Sequence, residues 1–140
     1  MSQITSANLV AILSVIAFCE GTSTNPLTRN KGYDVIVTGM GEKQGEIFTD
    51  YSDHPFAKGR SSKVLNKAGL KSNAAGRYQQ MLRWWPDYKK LLKLPDFSPQ
   101  SQDRIAVQLI KEQGALADVE RGDVEAFCKK CCDIWASLPG

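Results

Sequence analysis

The chain opens with an apolar segment whose hydrophobic residues recur at the spacing of one helix face. These residues are Leu9, Ile12, Leu13, Ile16 and Ala17. Ser6 or Asn8 can cap the amino end of this helix, and Gly21 suits the position just after its carboxyl end. The pattern therefore predicts a buried first helix that ends at about residue 20.

Two β-rich segments follow a polar loop at 22–32. Residues 33–38 and 46–51 are rich in β-branched and aromatic side chains, and glycines lie between them. This arrangement predicts a β-hairpin.

Helical patterning dominates from about residue 60 onward. Pro86 suits the first turn of one helix, and Ser98-Pro99 gives the next helix an N-cap followed by proline. That helix is predicted to stop at Gly114, and Asp123 is predicted to cap a last helix that runs to Trp135.

The composition is that of a soluble globular protein, with 140 residues, 42% apolar and 24% charged. It excludes a disordered chain, a collagen-like fibre and a polytopic membrane protein. Together with the pattern of elements, it predicts one α+β domain over residues 1–140, mostly helical with a small antiparallel sheet. A hairpin lobe is expected at about 22–58 and a helical lobe in the rest.

The net charge of +3 conceals an uneven distribution. Residues 58–93 carry ten lysines and arginines against one aspartate, whereas the segments on either side are mildly acidic. Such a basic block can steer an anionic partner to one region of the surface. Nucleic acid, an acidic wall polymer and a membrane surface all have the required charge.

The apolar run from Leu9 to Cys19 has the length of a signal-peptide core. No lysine or arginine precedes it, and it is shorter than the ~20 apolar residues that span a bilayer. We therefore expect synthesis without a signal peptide, in a cytosol that keeps thiols reduced.

Three of the four cysteines, Cys128, Cys131 and Cys132, share one face of the last predicted helix. Their spacing matches none of the usual zinc patterns, and His54 is the only histidine. We interpret them, with Cys19, as thiols of the core, with a metal or redox role as the alternative. No metal or cofactor is expected.

Glu20 departs from the local preference of its helix. It lies in the last turn, where the helix dipole disfavours negative charge, beside an apolar segment that favours the protonated acid. Residues that break a local rule are frequent at functional sites. A solvated glutamate at a frayed helix end is the alternative.

The order of the segments resembles the lambda-type phage endolysins, which are lysozyme-like peptidoglycan lytic transglycosylases. The motifs that carry the resemblance are Ala17-Phe18-Cys19-Glu20-Gly21-Thr22, Arg29-Asn30-Lys31-Gly32-Tyr33-Asp34-Val35-Ile36-Val37, Phe48-Thr49-Asp50-Tyr51-Ser52-Asp53-His54-Pro55, Ala75-Gly76-Arg77-Tyr78-Gln79, Arg83-Trp84-Trp85, Asp96-Phe97-Ser98-Pro99, Ser101-Gln102-Asp103 and Ile134-Trp135-Ala136-Ser137-Leu138-Pro139-Gly140. The resemblance implies a two-lobed, lysozyme-like fold with a small sheet facing a helical lobe across a saccharide cleft. It also implies cleavage of the β-1,4 bond between N-acetylmuramic acid and N-acetylglucosamine.

The same resemblance makes Glu20 the catalytic acid and base. Gly76, Tyr78 and Gln79 match a Gly-x-x-Gln element that lines the cleft in many transglycosylases. We expect them to contact substrate, with an ordinary helix start as the alternative. Tyr33, Tyr51 and Ser52 are expected where the hairpin meets the cleft. Asp34 and Asp53 are expected to hold the hairpin, and the tryptophans to lie in the core, although Trp84 could stack on a sugar.

Two departures from the family pattern stand out. The hairpin tip at 38–45 is longer, and family members continue beyond the Leu-Pro-Gly at 138–140, through a segment that borders the cleft. A shortened relative and a truncated, inactive wall-binding remnant therefore remain open.

Other activities also remain open: a hydrolytic muramidase with a second carboxylate from the hairpin, a chitin-degrading enzyme, and a binder of anionic polymer. No nucleic acid or stable membrane association is expected, and the protein is expected to be a monomer. Its partner would be the glycan strands of peptidoglycan, which it would reach from the host cytoplasm after a second protein permeabilises the membrane.

Overall fold

Five α-helices and two short β-hairpins make up residues 6–139, the part of the chain that the computed structural model describes. The helices are α1 (Ala7–Cys19), α2 (Trp85–Leu91), α3 (Pro99–Glu112), α4 (Leu116–Glu120) and α5 (Val124–Cys131), and one 3-10 turn, Leu82–Trp84, leads into α2. The strands are β1 (Val35–Ile36), β2 (Glu46–Ile47), β3 (Lys63–Val64) and β4 (Lys71–Ser72).

Helix α1 forms where the apolar pattern predicts it. The Ser6 hydroxyl accepts a hydrogen bond from the Leu9 amide at 3.3 Å, so Ser6 and not Asn8 is the N-cap. All five residues of the predicted apolar face are buried, and the helix packs against α4. Gly21 then adopts a φ of +74°, which ends the helix in the way that glycine allows.

The first predicted hairpin is present, but its strands are shorter than the sequence pattern indicates. Strands β1 and β2 pair antiparallel, with Val35 opposite Ile47. Ile36 is also bridged to Ala75, which in turn pairs with Gln80. The segment 74–80 therefore lies directly beside the hairpin.

The second hairpin, β3–β4, corrects the prediction that helical structure dominates from about residue 60. Helix begins only at residue 82, and Lys63 pairs with Ser72 in an antiparallel ladder. Strand structure therefore continues to residue 72. Residues 58–73 are mostly polar and exposed, so they carry no apolar periodicity from which strands could be recognised.

Ion pairs join the first hairpin to residues 60–63 at the start of the second hairpin segment. The Lys63 ammonium lies 2.8 Å from Glu42 and 2.9 Å from Glu46, and Arg60 also pairs with Glu46. Two residues of the basic block, Arg60 and Lys63, thus link the two hairpin segments.

The helices α3 and α5 begin at the predicted caps. The Ser98 hydroxyl accepts from the Ser101 amide at 3.3 Å, and the Asp123 carboxylate accepts from the Ala126 amide at 3.1 Å. Helix α5 ends at Cys131 rather than at Trp135. Cys128 and Cys131 are buried free thiols, as expected of core residues, whereas Cys19 and Cys132 are only partly buried.

His54 is a buried loop residue that ties the first hairpin to the segment 74–80. It is 1% exposed, its Nε2 lies 2.9 Å from the Gln80 carbonyl oxygen, and its Nδ1 accepts from the Phe56 amide at 3.2 Å. The accepting Nδ1 requires the neutral ring, and burial lowers the pKa of His54.

None of the helices within residues 6–139 has the length and apolar character needed to cross a membrane. Over the same residues, no group of three or more histidine, cysteine or acidic side chains is arranged to hold a metal ion.

Candidate active site

Glu20 caps the carboxyl end of α1, and its side chain is only partly exposed. Burial raises the pKa of the Glu20 carboxyl above its ordinary value, and a hydrogen bond from Ser137 opposes part of that rise. Within residues 6–139, the Ser137 hydroxyl is the only hydrogen-bond partner of this carboxyl. A carboxyl held in this way can release and recover a proton nearer to neutral pH than a solvated glutamate can.

The turn after Glu20 is fixed by Thr22. This side chain is 1% exposed, and its hydroxyl lies 2.6 Å from the Arg77 carbonyl oxygen and 3.2 Å from that of Ala17. Gly32 packs so closely that a β-carbon there would lie 2.8 Å from the backbone of Thr22 and Ser23. The backbone that carries Glu20 is therefore anchored to the segment 76–79.

Ser137 is a neighbour of Glu20 that sequence reasoning did not identify as a site residue. It lies in the segment after α5, where the Trp135 indole donates to the Tyr78 carbonyl oxygen at 3.0 Å and Leu138 is buried. The only signal in the sequence is its place in the Trp-Ala-Ser-Leu-Pro-Gly motif, which does not indicate a contact with Glu20. The pairing depends on two segments 117 residues apart.

Tyr33 and Tyr78, both predicted to bind substrate, belong to one polar cluster beside this turn. Their hydroxyls donate to the same carboxylate oxygen of Asp103, at 2.8 Å and 2.5 Å respectively. The Arg77 guanidinium lies over both rings, 5.1 Å from the Tyr33 centroid and 5.6 Å from that of Tyr78. Burial raises the pKa of the Asp103 carboxyl, although both hydroxyls oppose this.

The position of Tyr78 corrects the expectation that its ring contacts a sugar. The residue is 0% exposed and forms part of the core, where its ring meets the edge of Tyr33 at a centroid distance of 6.2 Å. A ring with no exposed surface cannot stack on a saccharide. Tyr33 is half-buried and keeps an accessible part, so its contact with substrate stays a prediction.

Gly76 is also buried, contrary to the expectation that it contacts substrate. Its φ is +86°, and a β-carbon at this position would overlap the side-chain oxygen of Gln102. That oxygen accepts from the Arg77 amide at 2.9 Å. The group that approaches this glycine is therefore the Gln102 side chain.

The remaining predicted contacts, Gln79, Tyr51 and Ser52, keep exposed surface. The Gln79 amide nitrogen donates to the Gly76 carbonyl oxygen at 3.0 Å. The Tyr51 hydroxyl accepts from Asn30 at 3.2 Å, and Ser52 lies in an exposed turn. None of these contacts involves Glu20, so their roles stay predictions.

The acidic residues of the hairpin segment are engaged in structural contacts. Asp34 is buried and accepts from the Thr28 hydroxyl at 2.5 Å and the Arg29 amide at 2.9 Å. Asp53 accepts from the Trp85 indole at 2.6 Å. Asp50 accepts from Ser52, and this hydrogen bonding lowers the pKa of its carboxyl. The structural roles predicted for Asp34 and Asp53 agree with these contacts.

Comparisons with known proteins place this chain in a family. The family model described as Endolysin matches residues 10–140. The endolysin of Escherichia phage P2 is 60% identical over 136 residues, which cover 97% of this chain and 82% of that protein. The endolysin of Escherichia phage lambda is 53% identical over 131 residues, covering 93% of this chain and 76% of that protein.

Solved structures agree. The lysozyme from bacteriophage lambda superposes with a TM-score of 0.86 at 48% identity, over 100% of this chain and 84% of that one. A bacteriophage lambda lysozyme complexed with a chitohexasaccharide gives a TM-score of 0.86 at 50% identity, over the same shares of the two chains. The predicted α+β, lysozyme-like fold is confirmed, and the chain is a member of the endolysin family.

Proposed function

We propose that this endolysin cleaves the β-1,4 bond between N-acetylmuramic acid and N-acetylglucosamine in bacterial peptidoglycan as a lytic transglycosylase. The observation that carries the proposal is the Glu20 carboxyl at the end of α1, with its pKa raised by burial and one hydroxyl partner. The relative whose structure contains a chitohexasaccharide supports a β-1,4-linked glycan as the substrate class.

In the first step, protonated Glu20 donates its proton to the glycosidic oxygen. The bond between that oxygen and the anomeric carbon of the muramyl sugar breaks, and the N-acetylglucosamine side leaves as an alcohol. The raised pKa favours this step because it keeps a larger fraction of Glu20 in the acid form near neutral pH.

In the second step, the Glu20 carboxylate removes the proton from the C6 hydroxyl of the same muramyl sugar. The C6 oxygen attacks the anomeric carbon, a 1,6-anhydro ring closes, and Glu20 returns to its protonated state. Because the nucleophile belongs to the substrate, its effective concentration is high without a contribution from the protein.

The environment of the hairpin carboxylates favours this route over hydrolysis. A hydrolytic glycosidase generally needs a second carboxylate as nucleophile or base. Asp34 and Asp53 are tied to hydroxyl, amide and indole donors of the fold. Asp50 is exposed and accepts a hydrogen bond from the Ser52 amide at 2.9 Å. Within residues 6–139, no acidic side chain hydrogen-bonds Glu20 or contributes to the shift of its pKa.

The saccharide is expected to contact the exposed parts of Tyr33, Tyr51, Ser52 and Gln79. The half-buried tyrosine rings offer faces for sugar stacking, and the Gln79 side-chain oxygen can accept from an N-acetyl group. The basic block would hold the enzyme near the anionic wall through long-range attraction. The enzyme would reach that wall from the host cytoplasm after a partner protein permeabilises the membrane.

Product analysis tests the reaction type. Purified peptidoglycan is digested with the protein, and the muropeptides are separated and weighed by mass spectrometry. A transglycosylase leaves 1,6-anhydro ends that are one water lighter than the reducing ends left by a hydrolase. Reducing ends as the only products would establish the muramidase alternative.

The variant Glu20→Gln tests the acid and base role. We expect it to fold normally and to lose activity by at least ~100-fold, since general acid–base catalysis contributes about 10²–10⁴ in rate. Glu125→Gln, at an exposed glutamate paired with Lys129, is the matched control and should keep full activity. A folded Glu20→Gln protein that clears cell walls at the wild-type rate would remove Glu20 from this role.

A further inference from the structure

Two consecutive carbonyl groups anchor both sides of the Glu20–Ser137 contact. Thr22 donates to the Arg77 carbonyl oxygen at 2.6 Å, and Trp135 donates to the Tyr78 carbonyl oxygen at 3.0 Å. Thr22 lies two residues after Glu20, and Trp135 lies two residues before Ser137. One short segment therefore fixes the backbone of the carboxyl and the backbone of the hydroxyl relative to each other.

Both anchors are well buried, so the arrangement is rigid. Thr22 is 1% exposed and Trp135 is 3% exposed. Leu138 is buried on the other side of Ser137, and its amide donates to the Trp135 carbonyl oxygen at 3.0 Å. Ser137 itself is exposed, although Trp135 two residues before it and Leu138 directly after it are held in the core. The packing of Trp135 and Leu138 fixes the backbone around Ser137, but it does not require that the side chain facing Glu20 carry a hydroxyl.

We infer that Ser137 is a positioning residue for Glu20: its hydroxyl holds the carboxyl in one orientation through both halves of the proposed reaction. A serine hydroxyl suits this role because it can donate to the carboxylate and, after rotation, accept from the protonated acid. It therefore gives Glu20 a partner in each protonation state. The inference rests on the proposed role of Glu20 as acid and base.

The Ser137 hydroxyl also affects the pKa of Glu20. A donated hydrogen bond favours the charged form, so Ser137 lowers the pKa that burial raises. Loss of the hydroxyl should therefore raise the pKa of Glu20 further. It should also let the carboxyl turn away from the orientation that the reaction needs.

The test compares wild-type protein with Ser137→Ala and Ser137→Thr on soluble peptidoglycan fragments. For Ser137→Ala we expect kcat to fall about tenfold, the contribution of one hydrogen bond to a charged group, with KM unchanged. The alkaline limb of the activity profile, where Glu20 loses its proton, should move to higher pH. Ser137→Thr, which keeps the hydroxyl, should restore both values, and Ser61→Ala, at an exposed serine of the second hairpin segment, should change neither.

A titration of the Glu20 carboxyl carbon by NMR gives a second readout that does not depend on turnover. In Ser137→Ala this carbon should titrate at higher pH than in the wild type. An unchanged titration would overturn the inference, as would a loss of kcat that threonine does not restore. Failure of the proposed function is recognised separately, because the products then carry only reducing ends, or Glu20→Gln stays active, whatever the Ser137 variants do.

Discussion

Gly76 and Gly69 form a matched pair that separates backbone strain from side-chain overlap. Both adopt positive φ, +86° at Gly76 and +87° at Gly69. A β-carbon at Gly69 would meet nothing within 4 Å, whereas one at Gly76 would lie 2.9 Å from the Gln102 Cδ and 3.2 Å from the Phe97 ring. The glycine-to-alanine change therefore measures backbone strain alone at Gly69, and backbone strain plus side-chain overlap at Gly76.

The expected magnitudes follow from these surroundings. Left-handed backbone disfavours alanine by about 1–2 kcal/mol, and this is the whole cost expected at Gly69. At Gly76 the overlap adds the cost of overpacking a core, about 1–3 kcal/mol. Gln102 cannot easily move aside, because its side chain bonds the Arg77 amide at 2.9 Å and the Phe97 carbonyl oxygen at 3.0 Å.

Urea unfolding and thermal melts of Gly76→Ala and Gly69→Ala measure the difference. We expect Gly76→Ala to be less stable than Gly69→Ala by about 1–3 kcal/mol, which corresponds to a Tm lower by about 3–10 °C for a domain of this size. Equal stabilities, together with a raised KM in Gly76→Ala alone, would refute the packing role. They would support the sequence-based expectation that Gly76 approaches substrate.

Two further predictions concern the groups that join the segments of the fold. The buried neutral ring of His54 binds a proton less readily than it does in the unfolded chain, so the free energy of unfolding should fall as pH drops below 6.5. This pH dependence should be weaker in His54→Gln. An identical pH profile of the free energy of unfolding for the two proteins would contradict the prediction. Thr22→Val leaves the Arg77 carbonyl without its hydroxyl partner and should cost about 1–3 kcal/mol. Thr24→Val, at an exposed threonine, should stay within about 0.5 kcal/mol of the wild type, and equal denaturation midpoints for the two valine variants would argue against the anchor.

Local signals in the sequence predict the helices well. Each N-cap accepts a hydrogen bond from the amide three residues further along the chain, as Ser6, Ser98 and Asp123 do. A cap can therefore be recognised without knowledge of the rest of the fold. The apolar face of α1 is equally local. The hairpin β3–β4 is missed because its exposed strands of two residues each carry no apolar alternation.

The site is less accessible to sequence reasoning, because its contacts are made between distant segments. Glu20 stands out through its position at the end of an apolar helix. Tyr78 and Gly76 match a substrate-binding motif, but the groups that surround them are Asp103 and Gln102, which lie on α3 about 25 residues away. Ser137 has no local feature that marks it, since its role depends on where Trp135 anchors the final segment.

The separation of Glu20 and Ser137 by 117 residues also bears on how the enzyme is made. A growing chain carries the carboxyl from early in synthesis, but the hydroxyl is added only after both hairpins and all five helices. Contacts of such long sequence separation form late, because they close the longest loops. Nascent chains that do not yet include residue 137 therefore hold Glu20 without its hydroxyl partner.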